Sequence, residues 1–179
     1  MTNKNPHKLN ATAASLLGFL HEGSMTGWDL VALADNRIGN FWNLTKSQVY
    51  RELQWLAENG LVETGPRGPR EKRVFKLTPD GKSAFSDWFS KEPAEEIIRY
   101  PLLLSASFAD YIAPAALRDF IKTHRCTHTA RLEKYKKDLL VQTRHSNIST
   151  GQALTFSFGI RYEEMVLQWM DEALEHLEK

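Results

Sequence analysis

Lys46, Ser47, Gln48, Tyr50 and Arg51 stand within one short run, FWNLTKSQVYRELQWL, over residues 41–56. Lysine, arginine, serine and glutamine are side chains that hydrogen-bond phosphates and base edges. At the start of a helix they would face a DNA major groove, which is wide enough to admit one. A helix N-terminus adds partial positive charge and free backbone N–H groups, which favour phosphate oxygens. A second basic set, Arg67, Arg70, Lys72 and Arg73, follows in PRGPREKR at 66–73. Such residues suit contacts to a flanking backbone or minor groove, which position a protein and make its affinity salt-dependent. Either set alone is more commonly a solvated helix start or loop tip. Together, and in this order, they point to DNA.

The positioning elements are legible around them. Leu9–Glu22 predicts a short helix that stops at Gly23. Thr26, with Asp29 three residues on, caps a second helix over Gly27–Gly39, expected to bury Trp28, Leu30, Val31 and Leu33 or Ala34. Thr45 and Gln48 fit the capping box S/T-x-x-E/Q, and Val49, Leu53 and Leu56 form the core stripe of the third helix. Phe41 and Trp42 read as its apolar anchor, with Trp42 in the core. Gln48 is occupied by the cap in this reading, which shifts the weight of base contact to Lys46, Ser47, Tyr50 and Arg51. Gly60 ends the helix. LVETG and KRVFKLT then read as two strands around the basic tip. Thr78-Pro79 opens a further helix that buries Phe85, Trp88 and Phe89. Three helices followed by a hairpin is the order of a winged helix-turn-helix, whose third helix enters the major groove.

EPAEE at 92–96 marks a boundary, giving a DNA-binding domain over 1–92 and a helical domain over 93–179. The second contains an apolar helix near Pro101–Asp110, a long one over Pro114–Thr143 and a last one over Gln152–Leu177. The last is apolar on two faces. Phe158, Tyr162, Met165, Val166, Trp169, Ala173 and Leu177 make one stripe; Ile160, Leu167, Met170 and Leu174 make another. Two apolar faces need two partners. One face can pack within the chain and the other against a second copy, which makes Phe158, Tyr162, Met165, Val166, Trp169, Met170 and Ala173 the expected homodimer contacts; the alternative is a helix buried wholly within its own domain. The fold class is therefore mainly α with a small β-hairpin: a winged helix-turn-helix followed by an α-helical dimerisation domain.

Trp88, Phe89, Arg99, Tyr100, Phe108, Tyr111 and His128 read either as ordinary core and surface or as the lining of an effector site for a small aromatic acid. His124 and His128 have the i, i+4 spacing of helical metal ligands, but no third ligand lies near in sequence, so they read as polar seam residues. No metal and no cofactor are expected. Cys126 is the single cysteine, so no intrachain disulfide forms. The most apolar segment, Pro101–Ala109, is too short to span a bilayer, and MTNKNPHKLN lacks the apolar core of a signal peptide. The expectation is a cytoplasmic protein with no membrane partner. No nucleophile triad, phosphate loop or carboxylate pair stands at a useful spacing, so an enzyme is not expected. The competing class is a winged-helix protein-interaction module, which a neutral or acidic tip would favour. The tip here is basic although net charge is only +1.

TGWDL at 26–30, IGNFW at 38–42, SQVYREL at 47–53, GLVE at 60–63, VFKLTPDGK at 74–82 and DWF at 87–89 resemble the PadR family of bacterial transcriptional regulators. Order and spacing match over about residues 14–91. FGIRYEEMVLQWMDEAL at 158–174 is similar to the subgroup with a long helical C-terminal domain, which includes repressors of phenolic acid decarboxylase genes and a virulence-gene activator. The resemblance implies a homodimer on a pseudo-palindromic operator in double-stranded DNA. It makes a repressor released by a phenolic acid the leading expectation. An activator without a ligand is the alternative.

Overall fold

The computed structural model describes residues 9–66, 73–91, 98–145 and 148–178. The chain divides into two compact units, Met1–Glu95 and Glu96–Lys179.

In the first unit the order is α1 (Ala11–Leu20), β1 (Met25–Thr26), α2 (Gly27–Arg37), α3 (Lys46–Glu58), β2 (Val62–Thr64), β3 (Val74–Leu77) and α4 (Pro79–Phe89). Polar caps begin these helices. Asn10 accepts from the Ala13 N–H, Thr26 pairs reciprocally with Asp29, Thr45 with Gln48, and Thr78 accepts from Gly81. Gly60 follows α3 at φ 70°, a left-handed conformation that glycine adopts without the Cβ penalty. Leu16, Leu17, Leu30, Val49, Leu53, Leu56, Val62 and Phe75 share one core.

The hairpin is part of a three-stranded antiparallel sheet in the order β1-β3-β2. Met25 pairs with Phe75 and Thr26 with Val74, while Val62 pairs with Leu77 and Thr64 with Phe75. Strand β1 has no signature in the sequence, because two residues carry no alternation. This strand fixes the base of the wing to the start of α2. Thr78 ties the other side: its hydroxyl reaches the carbonyls of Gly60 and Leu61, at 2.8 and 2.9 Å.

Three burial expectations fail. Trp28 is 59% exposed, because α2 packs through Gly27, Leu30 and Ala34 and a residue one step along is turned about 100° away. Phe41 and Trp42 are exposed; Ile38 and Leu44 supply the apolar anchor instead. Leu44 precedes the Thr45 cap and Val49 lies four residues beyond it, the arrangement of a hydrophobic staple. Phe89, in the final turn of α4, is 75% exposed, whereas Phe85 packs on the core and Trp88 is half-buried.

The second unit holds α5 (Pro101–Ala106), a 3-10 turn (Ala109–Tyr111), α6 (Pro114–His145) and α7 (Thr150–His176). The expected single helix over Pro101–Asp110 is thus two short pieces. Helices α6 and α7 run antiparallel: Arg118 bonds the Leu177 carbonyl, Arg125 meets Asp171, and Arg131 meets Glu163. Tyr135 lies over Gly159, where an added β-carbon would stand 3.2 Å from its ring. Leu102, Leu117, Ile121, Val166 and Met170 form the core.

Candidate nucleic-acid interface

The tip of α3 is built in two layers. Val49, Glu52, Leu53 and Leu56 face inward and are buried, while Lys46, Ser47, Tyr50 and Arg51 are exposed. The capping box decides what Gln48 can offer. Its side-chain oxygen accepts from the Thr45 N–H at 2.8 Å and from the Thr45 hydroxyl at 3.0 Å. The oxygen is therefore committed, and Gln48 keeps its amide NH2 as the group to present.

Lys46 is held by aromatic faces. Its ammonium lies 5.8 Å from the Trp28 ring centroid and 5.9 Å from that of Tyr50. At an exposed site each such contact is worth about 0.5–1 kcal/mol, enough to bias a flexible side chain. Trp28, expected in the core from its size, therefore belongs to this surface. The signal was available: Leu30 and Ala34 set the buried stripe of α2, and Trp28 is off it. Tyr50 reaches Trp28's neighbour as well, since its ring covers the backbone of Gly27.

Arg51 donates from Nε and Nη2 to Oε1 of Glu52, at 3.2 and 3.1 Å. In the wing, Arg73 just before β3 and Lys76 on it are exposed. Arg67, Arg70 and Lys72 lie outside the described residues.

The exposed Lys46 and Arg51 stand in the first turns of α3, where the helix N-terminus adds partial positive charge. Among the described residues there is no group of three His, Cys, Asp or Glu side chains arranged for a metal ion.

The second unit gathers only part of the proposed effector set. Tyr100 stacks on Tyr162 at 6.0 Å between centroids. His128 Nδ1 lies 2.5 Å from Oε2 of the buried Glu163, whose Oε1 accepts from Arg131 at 3.2 Å. Burial, then hydrogen bonding to Tyr100, pushes the Tyr162 hydroxyl well above its ordinary pKa. Burial and the nearby Glu163 raise Tyr135. Arg99, Phe108 and Tyr111 stand exposed, while Trp88 and Phe89 belong to the first unit. The two seam histidines have separate partners, since His124 packs its ring on Phe120.

The expected dimer residues also divide. Val166 and Met170 are buried in the unit's own core, with Tyr162, Trp169 and Ala173 packed against it. Phe158 and Met165 are exposed.

Comparison with known proteins accounts for both units. Residues 16–87 match the family described as "Transcriptional regulator PadR-like family". Residues 98–178 match the one described as "Virulence activator alpha C-term". The chain belongs to the PadR-like family of transcriptional regulators. A PadR-like relative, the "Negative transcriptional regulator PadR" of Bacillus subtilis, is 26% identical over 92% of this chain and 96% of its own length. The crystal structure of Bacillus subtilis PadR with operator DNA superposes with a TM-score of 0.82 at 24% identity, covering 94% of this chain and 99% of that one. The virulence activator of Vibrio cholerae gives a TM-score of 0.75 at 23% identity, covering 94% and 98%. These PadR-like structures share the fold, a winged helix with a helical C-terminal region. Among the described residues, no helix is long and apolar enough to cross a membrane.

Proposed function

We propose that this chain is a dimeric DNA-binding repressor that inserts the N-terminal turns of α3 into the major groove of a pseudo-palindromic operator. The exposed set Lys46, Ser47, Tyr50 and Arg51, lying outward from a buried Val49–Leu53–Leu56 stripe, carries this reading. Lys46 and Tyr50 serve backbone phosphates, Ser47 and Arg51 serve base edges, and Gln48 contributes through its NH2. The basic wing, with Arg67, Arg70, Lys72 and Arg73, adds sequence-independent affinity. The similar Bacillus protein is described as a negative regulator and a PadR of that species is seen with operator DNA, which supports both parts.

Two copies meet through the exposed face of α7. Leu154, Phe158 and Met165 are all exposed, and their spacing of four and seven residues puts them on one side of the helix. Pairing there would set two recognition helices on successive turns of DNA.

A small aromatic acid releases the repressor. A PadR of Bacillus subtilis with 20% identity is seen in complex with p-coumaric acid. Here Tyr100 and Tyr162 bring aromatic faces, and His128 and the Arg131 guanidinium lie against Glu163. A carboxylate would bind this cluster by competing with Glu163 for Arg131 or His128.

The C-terminal match to a virulence activator favours a second reading, in which the same DNA contacts activate transcription without a ligand. Selection of bound fragments from genomic DNA, repeated with p-coumaric acid, tests the first. Enrichment of a palindromic site that the acid releases supports it. A site indifferent to the acid, with transcription rising in a reconstituted assay, supports the second.

A further inference from the structure

Glu52 is buried at 1% exposure in a helix whose outer face is proposed to meet DNA. A buried carboxylate is costly unless its oxygens are satisfied. Both are. Oε2 accepts from Nδ2 of Asn10 at 3.1 Å, and Oε1 accepts from Nε and Nη2 of Arg51. Asn10 is itself fixed, because its Oδ1 caps α1 by accepting from the Ala13 N–H at 2.8 Å. One chain of bonds therefore runs from the start of α1 through the core to an exposed guanidinium.

We infer that Glu52 is a positioning residue that sets the sequence specificity of Arg51. This rests on the DNA-binding reading and extends it. Glu52 is too buried to touch a nucleic acid, so it acts through the arginine. Arginine carries five N–H donors in a planar fork. Glu52 takes Nε and one edge of the fork, which leaves the remaining donors in a fixed direction, away from the core. A freely rotating arginine at a groove edge serves any phosphate, whatever the sequence. A held one favours the acceptor that lies along its fork, as base edges do. Glu52 also offsets part of the charge, weakening attraction to phosphate in general. Its loss should thus loosen discrimination and strengthen binding to arbitrary DNA at once. A carboxylate that served the fold alone would change stability without that exchange.

The test compares wild type, Glu52→Gln, Arg51→Lys, Arg51→Ala and the Glu52→Gln, Arg51→Ala double variant on two probes. One is the duplex that wild type enriches from a random-sequence pool; the other is a scrambled duplex of the same composition. Glutamine has one oxygen where Glu52 has two, so it keeps either the Asn10 bond or the two Arg51 bonds, and it no longer offsets the guanidinium charge. Lysine keeps the charge at an exposed position and lacks the fork, so it remains informative if Glu52→Gln fails to fold. Both variants are expected to lose about tenfold in the affinity ratio between the duplexes. Glu52→Gln also binds the scrambled duplex more tightly, and adds nothing to the ratio lost by Arg51→Ala. A wild-type ratio in a folded Glu52→Gln protein, or in Arg51→Lys where Glu52→Gln does not fold, overturns the inference while leaving DNA binding intact. Enrichment of no duplex by wild type overturns the DNA-binding reading, and this inference with it.

Discussion

The ring of Tyr50 covers Gly27 so closely that a β-carbon there would lie 2.8 Å from its Cε1. Helix α2 thus starts with glycine directly beneath an exposed side chain of α3. The obstructing atoms are the end of a mobile side chain, so Gly27→Ala displaces Tyr50 rather than the backbone. Stability should change by under about 1 kcal/mol. DNA binding should weaken by about 1 kcal/mol, since Tyr50 and the Lys46 beside it lose their places. Thermal melts and binding titrations on the same sample separate the two effects.

Gly81 gives the opposite case. A β-carbon there would stand 2.1 Å from the carbonyl oxygen of Leu61 and 2.8 Å from the Leu77 side chain. The first obstacle is backbone and cannot swing aside. Gly81→Ala should cost about 1–3 kcal/mol and lower the melting temperature. An unchanged melt would show that the wing base is more pliable than its hydrogen bonds from Thr78 suggest.

On α7 the inner and outer faces should respond differently. Phe158 is 71% exposed and Val166 is buried. Phe158→Glu should yield a folded monomer by sedimentation, with circular dichroism unchanged. Val166→Ala should keep the dimer but lose about 1–3 kcal/mol of stability. A Phe158→Glu protein that remains dimeric moves the interface elsewhere.

Tyr162 predicts an alkaline weakness. Burial and the Tyr100 hydrogen bond raise its pKa in the folded chain. A raised folded pKa means that the stabilisation is complete below the unfolded tyrosine pKa of about 10 and is lost as pH rises beyond it. Urea midpoints should therefore fall above that pH, and fall less steeply in Tyr162→Phe. Equal slopes would place the alkaline loss in other groups.

Much of this was legible in the residues. Thr45 with Gln48, Thr26 with Asp29 and Thr78 before Pro79 announce three helix starts because caps are local chemistry. Val49, Leu53 and Leu56 announce the buried side of α3 by period alone. Trp28, Phe41 and Phe89 misled because size suggests burial, while position relative to Leu30, Leu44 and Phe85 decides it. Glu52 was hidden for the reverse reason: its partners are its neighbour Arg51 and Asn10, 42 residues away. The split of α7 into Val166 and Met170 against Phe158 and Met165 depends on where α6 lies, which no helical period states.

The central claim is that the outward tip of α3 binds the operator. The most direct measurement is a gel-shift titration of the wild-type-enriched duplex, across a salt series, with wild type and the Lys46→Ala, Arg51→Ala protein. Both residues are exposed, so the dimer should persist by sedimentation. The account predicts an affinity loss of about 2 kcal/mol or more and a salt dependence shallower by about one phosphate contact, that of Lys46. Unchanged affinity and slope in a folded, dimeric double variant would contradict it.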